Sequence, residues 1–263
     1  QPRASHPSLT TTTEDHQRAM AAKVQIPGLN GGLKEADMEQ SRQLYNSLPS
    51  DEAQPDVEDL LQQLAEIFVR NNAHKVFGVH LVHGHLQLPE NNILFGEETT
   101  PRCRWTKPTA TNSLQLDRLQ GHTFILTDNG FHPYQYQSGQ YPDMGQVGDT
   151  FLSELADFLN ANALSRVIAL ELLDSPLPEA MMELVLGDHG TMMIEPSRLL
   201  GCTPFRRTGW AFSEQDGKPR VCQDGKQFHG TTPKGHVIAT TPRDIIETSS
   251  HALHLLKAIG LLS

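Results

Sequence analysis

The strongest constraint on the fold is a change of hydrophobic period near Lys75. Before it, Val57, Leu60, Leu61, Leu64, Ile67 and Phe68 recur at helical spacing behind a capping Asp56, and the pattern stops at Asn71-Asn72. After it, residues Val76 to Leu88 have strand composition with a period of two. No regular alternation of strand and helix follows, which argues against a doubly wound parallel sheet. The pattern suits an α+β domain with a largely antiparallel β-sheet and flanking N- and C-terminal helices.

Turn chemistry supplies the remaining elements. Ile93 to Gly96 reads as a short strand, and His122–Thr127 with Phe131–Gln137 as a hairpin around Asp128-Asn129-Gly130. Arg166 to Leu173 reads as a buried strand, and Met182–Leu186 with Thr191–Glu195 as a second hairpin. Helices are expected from Lys34 to Leu48 and from Thr150 to Asn162, the latter capped by Asp149 or Thr150. A last helix is expected to open at Thr241-Pro242 and stop at Gly260. Residues 1–33, with their threonine run, prolines and paired glycines, read as a disordered tail, which leaves 34–263 as a single domain.

Composition narrows the function class. With 21 basic and 31 acidic residues the formal charge is −10, which disfavours nucleic acid and anionic membrane surfaces as partners. No apolar run approaches the ~20 residues that span a bilayer, and the first thirty residues lack an apolar signal core. The start at Gln1 is compatible with a removed leader. Cys103, Cys202 and Cys222 are widely spaced and form no CxxC pair, so reduced thiols and a cytoplasmic location are expected. Phosphate-loop, dinucleotide-fold, HExxH and GxSxG patterns are absent.

The unusual feature of the composition is its 13 histidines. Three of them fall in Gly78-Val79-His80-Leu81-Val82-His83-Gly84-His85, where strand alternation puts His83 and His85 on one face and His80 on the other. The paired imidazoles then lie about 7 Å apart along that face, within reach of one ion. Gly84 between them leaves room for another backbone to approach. A solvent-facing pair, or two imidazoles bound to backbone, is the structural alternative.

Glu90 extends the pattern to Gly78-x4-His83-x-His85-x4-Glu90-x5-Gly96, which resembles the first metal motif of the cupin family. The resemblance implies a metal held by His83, His85 and Glu90, with a further histidine from a second motif. Both glycine arms differ from the family spacing by one residue, and no second motif of the form G-x5-PxG-x2-H-x3-N is present. Another resemblance spans more of the chain. Phe77-Gly78, His83-x-His85, Phe131-His132-Pro133-Tyr134, Thr208-Gly209-Trp210 and Arg220-Val221-Cys222 together are similar to a family of uncharacterised fungal proteins, which implies no established activity.

Further polar groups have several candidate sources. Cys222-x6-His229-x6-His236 lies in a Gly/Pro/Lys-rich stretch that reads as a loop, able to fold over the pair and supply a ligand or an acid/base group. His132, and His122 on the partner strand, can flank the same face. The expected function is a small-molecule metalloenzyme holding one divalent ion, zinc or iron, on His83, His85 and Glu90, with His229, His236, Cys222 and His132 as candidate catalytic groups. Hydrolase, lyase and oxygenase chemistry all stay open, with fungal specialised metabolism as the setting that the second resemblance suggests, and a homo-oligomer is compatible with the chain. A metal-free lyase or isomerase with a histidine base, and a non-catalytic binding or scaffold protein, are the alternatives.

Overall fold

The computed structural model describes residues 25–99, 103–173, 180–222, 227–238 and 246–263. Its helices are α1 (Glu35–Asn46), α2 (Leu61–Arg70), α3 (Phe151–Ala161) and α4 (Ser249–Ala258). Its strands are β1 (Phe77–Leu81), β2 (Asn92–Thr99), β3 (Cys103–Ala110), β4 (Leu119–Thr127), β5 (Gly130–Ser138) and β6 (Ile168–Leu172). They continue with β7 (Met181–Val185), β8 (Thr191–Ile194), β9 (Thr203–Trp210), β10 (Phe212–Gln215), β11 (Lys218–Val221) and β12 (Gln227–Thr231).

Ten strands close into a barrel in the order β1-β6-β4-β5-β2-β3-β8-β7-β12-β9, and β9 pairs back onto β1. Most pairings are antiparallel, as expected, and two features go beyond that reading. The sheet is closed, and the β2–β5 and β7–β12 pairings are parallel. Closure removes the unpaired edges that an open sheet would expose. At the closing seam a Cβ on Gly78 would stand 2.5 Å from the Trp210 carbonyl oxygen, so this approach of β1 to β9 requires glycine.

Strand alternation decides which side chains face inward. Phe77, Val79 and Leu81 of β1 and Leu170 of β6 pack with Phe68 of α2 and Phe151 of α3 in one outer cluster. Each Leu or Phe buried there contributes about 1.5–3 kcal/mol. A second outer cluster joins Met182 and Leu184 of β7 to Met192 of β8 and Leu256 of α4. With those residues outside, His80, Glu171 and Glu183 project to the inner side of the barrel. α1 lies along β2 and β5, where the Ser41 hydroxyl meets the Tyr136 hydroxyl at 2.6 Å and donates to the Pro133 carbonyl at 2.6 Å.

Several boundaries differ from expectation. β1 ends at Leu81 rather than continuing to Leu88, and the chain turns so that Gly84 N donates to Pro49 O at 2.9 Å. Residues 25–33, expected to belong to the tail, are anchored: Ile26 and Leu29 are buried in the cluster with α2 and α3. Residues 1–24 and Thr241-Pro242 lie outside the described residues. α4 is capped by Thr248, whose hydroxyl accepts from His251 N at 3.2 Å, and Gly260 follows its end. The Gly/Pro/Lys-rich stretch expected to be a loop contains β12, which is paired between β7 and β9. Its neighbours supply the backbone partners that its own composition does not advertise.

Candidate metal centre

His83 and His85 sit in the turn that follows β1, not on a strand face. The His83 Nδ1 atom is 2.7 Å from the Leu81 carbonyl oxygen. A carbonyl only accepts, so Nδ1 carries the proton and Nε2 presents a lone pair. His85 is held through its backbone N–H, which donates to the Tyr45 hydroxyl at 3.2 Å. The turn also brings His80 back beside the pair, with its ring centroid 5.1 Å from that of His83. The expected separation of His80 from His83 fails because the strand ends before alternation can apply.

Two groups distant in sequence complete the cluster. β12 presents His229, and the parallel pairing with β7 sets it in register with Glu183. The His229 Nδ1 atom is 2.7 Å from Asp51 Oδ2, which fixes a proton on Nδ1 and turns Nε2 inward. That Nε2 lies 3.0 Å from His83 Nε2 and 2.9 Å from Glu183 Oε2. Glu183 Oε2 is 3.7 Å from His83 Nε2 and 3.6 Å from His85 Nε2. One donor atom from each of His83, His85, Glu183 and His229 lies within 4.8 Å of all the others.

These separations of 2.9–3.7 Å lie close to those of donors around one ion. Nitrogen and oxygen donors about 2.1 Å from a common metal stand roughly 3.0–3.5 Å from one another. The contact of Glu183 Oε2 with His229 lacks hydrogen-bond alignment, and both it and His85 Nε2 are buried without a hydrogen-bond partner. Buried polar atoms left so are costly unless something else engages them.

Electrostatics agree with the geometry. Burial would raise the Glu183 carboxyl, but His85, His229 and His83 hold it well below the ordinary carboxylate range. Burial pushes the His83 imidazole down, which keeps it neutral and able to donate its lone pair. Burial would also lower His229, yet Asp51 and Glu183 push it up to about 9. For Asp51, burial opposes ionisation and the His229 contact prevails, holding the carboxyl well below its usual value.

A second polar group lies on the inner wall. Glu171 Oε1 accepts from Gln227 Nε2 at 2.9 Å and stands 3.3 Å from His122 Nε2 and 3.9 Å from His80 Nδ1. Burial raises the Glu171 carboxyl and pushes His80 down to about 4.

The other sequence candidates separate. Glu90, expected as the carboxylate ligand, is exposed in the turn before β2 and lines a surface cleft of about 510 Å³ with Glu35 and Glu39. The carboxylate in the cluster is Glu183 instead. His229 belongs to the donor set itself, whereas it was expected as a catalytic group in a covering loop. His236 is half-buried beside it, 5.8 Å from the His229 ring and 6.4 Å from the His85 ring, and stacks on the exposed Phe205. His132 is engaged by α1, with Nε2 3.0 Å from Asp37 O and 3.2 Å from Ser41 Oγ. Cys222 is a free thiol at the end of β11, whose backbone is tied to Ala211 and Arg207. No hydrogen bond joins it to His229 among the described residues.

Glu183 and Asp51 were not expected at all. Glu183 had a signal: it is the one charge in the otherwise apolar run Met181-Met182-Glu183-Leu184-Val185, and a lone carboxylate on a buried strand calls for a partner. Asp51 had none.

Scans against protein-family models, curated proteins and solved structures find no match to this chain. Fold and site together define a closed β-barrel in which three histidines and a glutamate lie close enough together to hold a metal ion.

Proposed function

We propose that this protein is a small-molecule metalloenzyme that holds one divalent first-row ion, zinc or iron, on His83, His85, Glu183 and His229. The observation that carries the reading is the convergence of the Nε2 atoms of His83 and His229, 3.0 Å apart beside a buried carboxylate. Such an ion supplies a Lewis acid able to polarise a substrate oxygen or to lower the pKa of water. The local resemblance to the first cupin metal motif supports the same reading, with Glu183 in place of Glu90.

The chain's own groups complete the site. The His85 side chain is only 8% exposed, whereas His236 is half-buried against the exposed Phe205, which puts the more open side of the cluster at His236. His236 stands close enough to give or take a proton at a molecule held there. Neutral imidazoles with a carboxylate suit either zinc, and hence hydrolysis or elimination, or iron, and hence oxygen chemistry.

The test is elemental analysis of the purified chain before and after dialysis against a chelator, with the thermal midpoint measured in both states. About one equivalent of metal and a lower midpoint after chelation are expected. Absence of stoichiometric metal, together with no gain in midpoint when zinc or ferrous ion is added back, overturns the reading.

A further inference from the structure

We propose that Asp51 is the positioning residue of this centre, and that Arg206 is the clamp that holds Asp51 in place. The inference rests on the metal reading above and adds the device that prepares one of its ligands.

Asp51 opens a short 3-10 turn, Asp51–Ala53, and is 2% exposed. Its carboxylate is bonded to a residue far away in sequence rather than within that turn, so local structure does not account for burying it. Taking a carboxylate out of water costs several kcal/mol unless charge and hydrogen bonds compensate. The Asp51 carboxylate is directed instead at His229 Nδ1, across 178 residues of sequence.

The segment carrying Asp51 is fastened on both sides. The Arg206 guanidinium of β9 donates to the carbonyls of Asp51, Gln54 and Pro55. Arg206 therefore spends its donors on backbone and leaves the Asp51 carboxylate to the histidine. The Gln54 amide donates to the carbonyl of Val82, the residue before His83, and to that of Arg166. One short segment thus touches both the turn that carries His83 and the imidazole of His229.

The two imidazoles are prepared differently. His83 Nδ1 faces a neutral carbonyl, whereas His229 Nδ1 faces a carboxylate. A carboxylate behind a ligating histidine fixes its tautomer and makes the opposite nitrogen a stronger donor, and loss of such a partner typically weakens metal affinity by about 10–100-fold. In Asp51→Asn the amide can turn its NH2 toward Nδ1, which moves the imidazole proton to Nε2 and blocks the lone pair.

The experiment loads the full chain with Co²⁺ as a spectroscopic probe and measures affinity by competition with a chelator, for wild type, Asp51→Asn and Arg206→Ala. Expected are an affinity loss of about 10–100-fold in Asp51→Asn, a smaller loss in Arg206→Ala, and a shifted visible Co²⁺ absorption band in both. A purely structural role would lower the metal-free melting temperature without moving that band. Wild-type affinity and an unchanged band in Asp51→Asn overturn the inference. If Asp51→Asn does not fold, the same result in Arg206→Ala overturns it. Failure of the wild-type chain to bind Co²⁺, Zn²⁺ or Fe²⁺ at all instead overturns the metal reading beneath it.

Discussion

The Nε2 atoms of His83 and His229 face each other at 3.0 Å while both Nδ1 atoms are engaged, one by the Leu81 carbonyl and one by the Asp51 carboxylate. Two lone pairs at that separation repel unless a positive charge lies between them. A proton can provide it, and so can a metal ion. The buried carboxylates of Asp51 and Glu183 carry two negative charges, which one divalent ion balances.

If the ion is the occupant, its ligands should not be equivalent to the nearby decoys. His83→Ala and Glu183→Gln are expected to abolish stoichiometric zinc or iron, because each removes a donor from the set of four. Glu90→Gln is expected to retain full metal content, since Glu90 is exposed at a surface cleft. Elemental analysis of the three variants, each checked for folding by circular dichroism, decides the matter. Loss of metal in Glu90→Gln would return the carboxylate ligand to that residue.

Proton release should accompany binding. Without metal, His229 is pushed up to about 9 and carries a proton at pH 7, which an incoming ion must displace. Calorimetric titration with Zn²⁺ at pH 7 in buffers of different ionisation enthalpy is expected to show about one proton released per ion. Apparent affinity should then fall about tenfold for each pH unit below 9. A buffer-independent enthalpy would contradict the assignment of the proton to His229.

Metal-free stability should follow the same proton with a definite sign. A histidine whose folded pKa is raised from 6.5 to about 9 contributes stability that is fully present below pH 6.5 and is lost as pH rises through 9. Asp51 and Glu183 are shifted down, so their share of the same coupled interaction is present above the ordinary carboxylate range and fades in acid. Urea unfolding in chelator is therefore expected to show declining stability from pH 6.5 to 9, and saturating Zn²⁺ should remove the decline. A flat chelated profile would speak against the charged His229 pair.

Much of the scaffold was legible because local pattern and tertiary environment agree. The hairpins Leu119–Ser138 and Met181–Ile194, and the helices at 35–46, 61–70 and 151–161, all follow apolar periodicity and turn residues. Barrel closure was not legible, since pairing of β9 with β1 joins residues more than a hundred positions apart. The candidate metal group was half legible for the same reason. His83 and His85 announce each other by spacing, whereas Glu183 and His229 meet them only through the parallel β7–β12 register. The period-two expectation also misled at His80, because a strand that ends at Leu81 no longer keeps neighbours on opposite faces.

Glu171 should prove a stability liability, in contrast to Glu183. It is 4% exposed, and its neighbours are the Gln227 amide and the His122 and His80 imidazoles at 2.9, 3.3 and 3.9 Å. Burial raises its carboxyl above the ordinary value of 4.5, and the neighbours only partly offset that. A carboxyl raised in the folded state gives stability below its unfolded pKa and loses it as pH rises through the folded one. Above its folded pKa the wild-type chain holds a buried charge that Glu171→Gln removes while keeping shape and hydrogen-bonding capacity. The variant is expected to gain about 1 kcal/mol in urea unfolding at pH 8, and the gain should shrink toward zero at pH 4. Equal or lower stability at pH 8 would show that the imidazoles compensate the charge fully. A measured gain would mean that the chain keeps an acid on the inner barrel wall at a cost in stability, which is the pattern expected of a group retained for chemistry beside the metal centre.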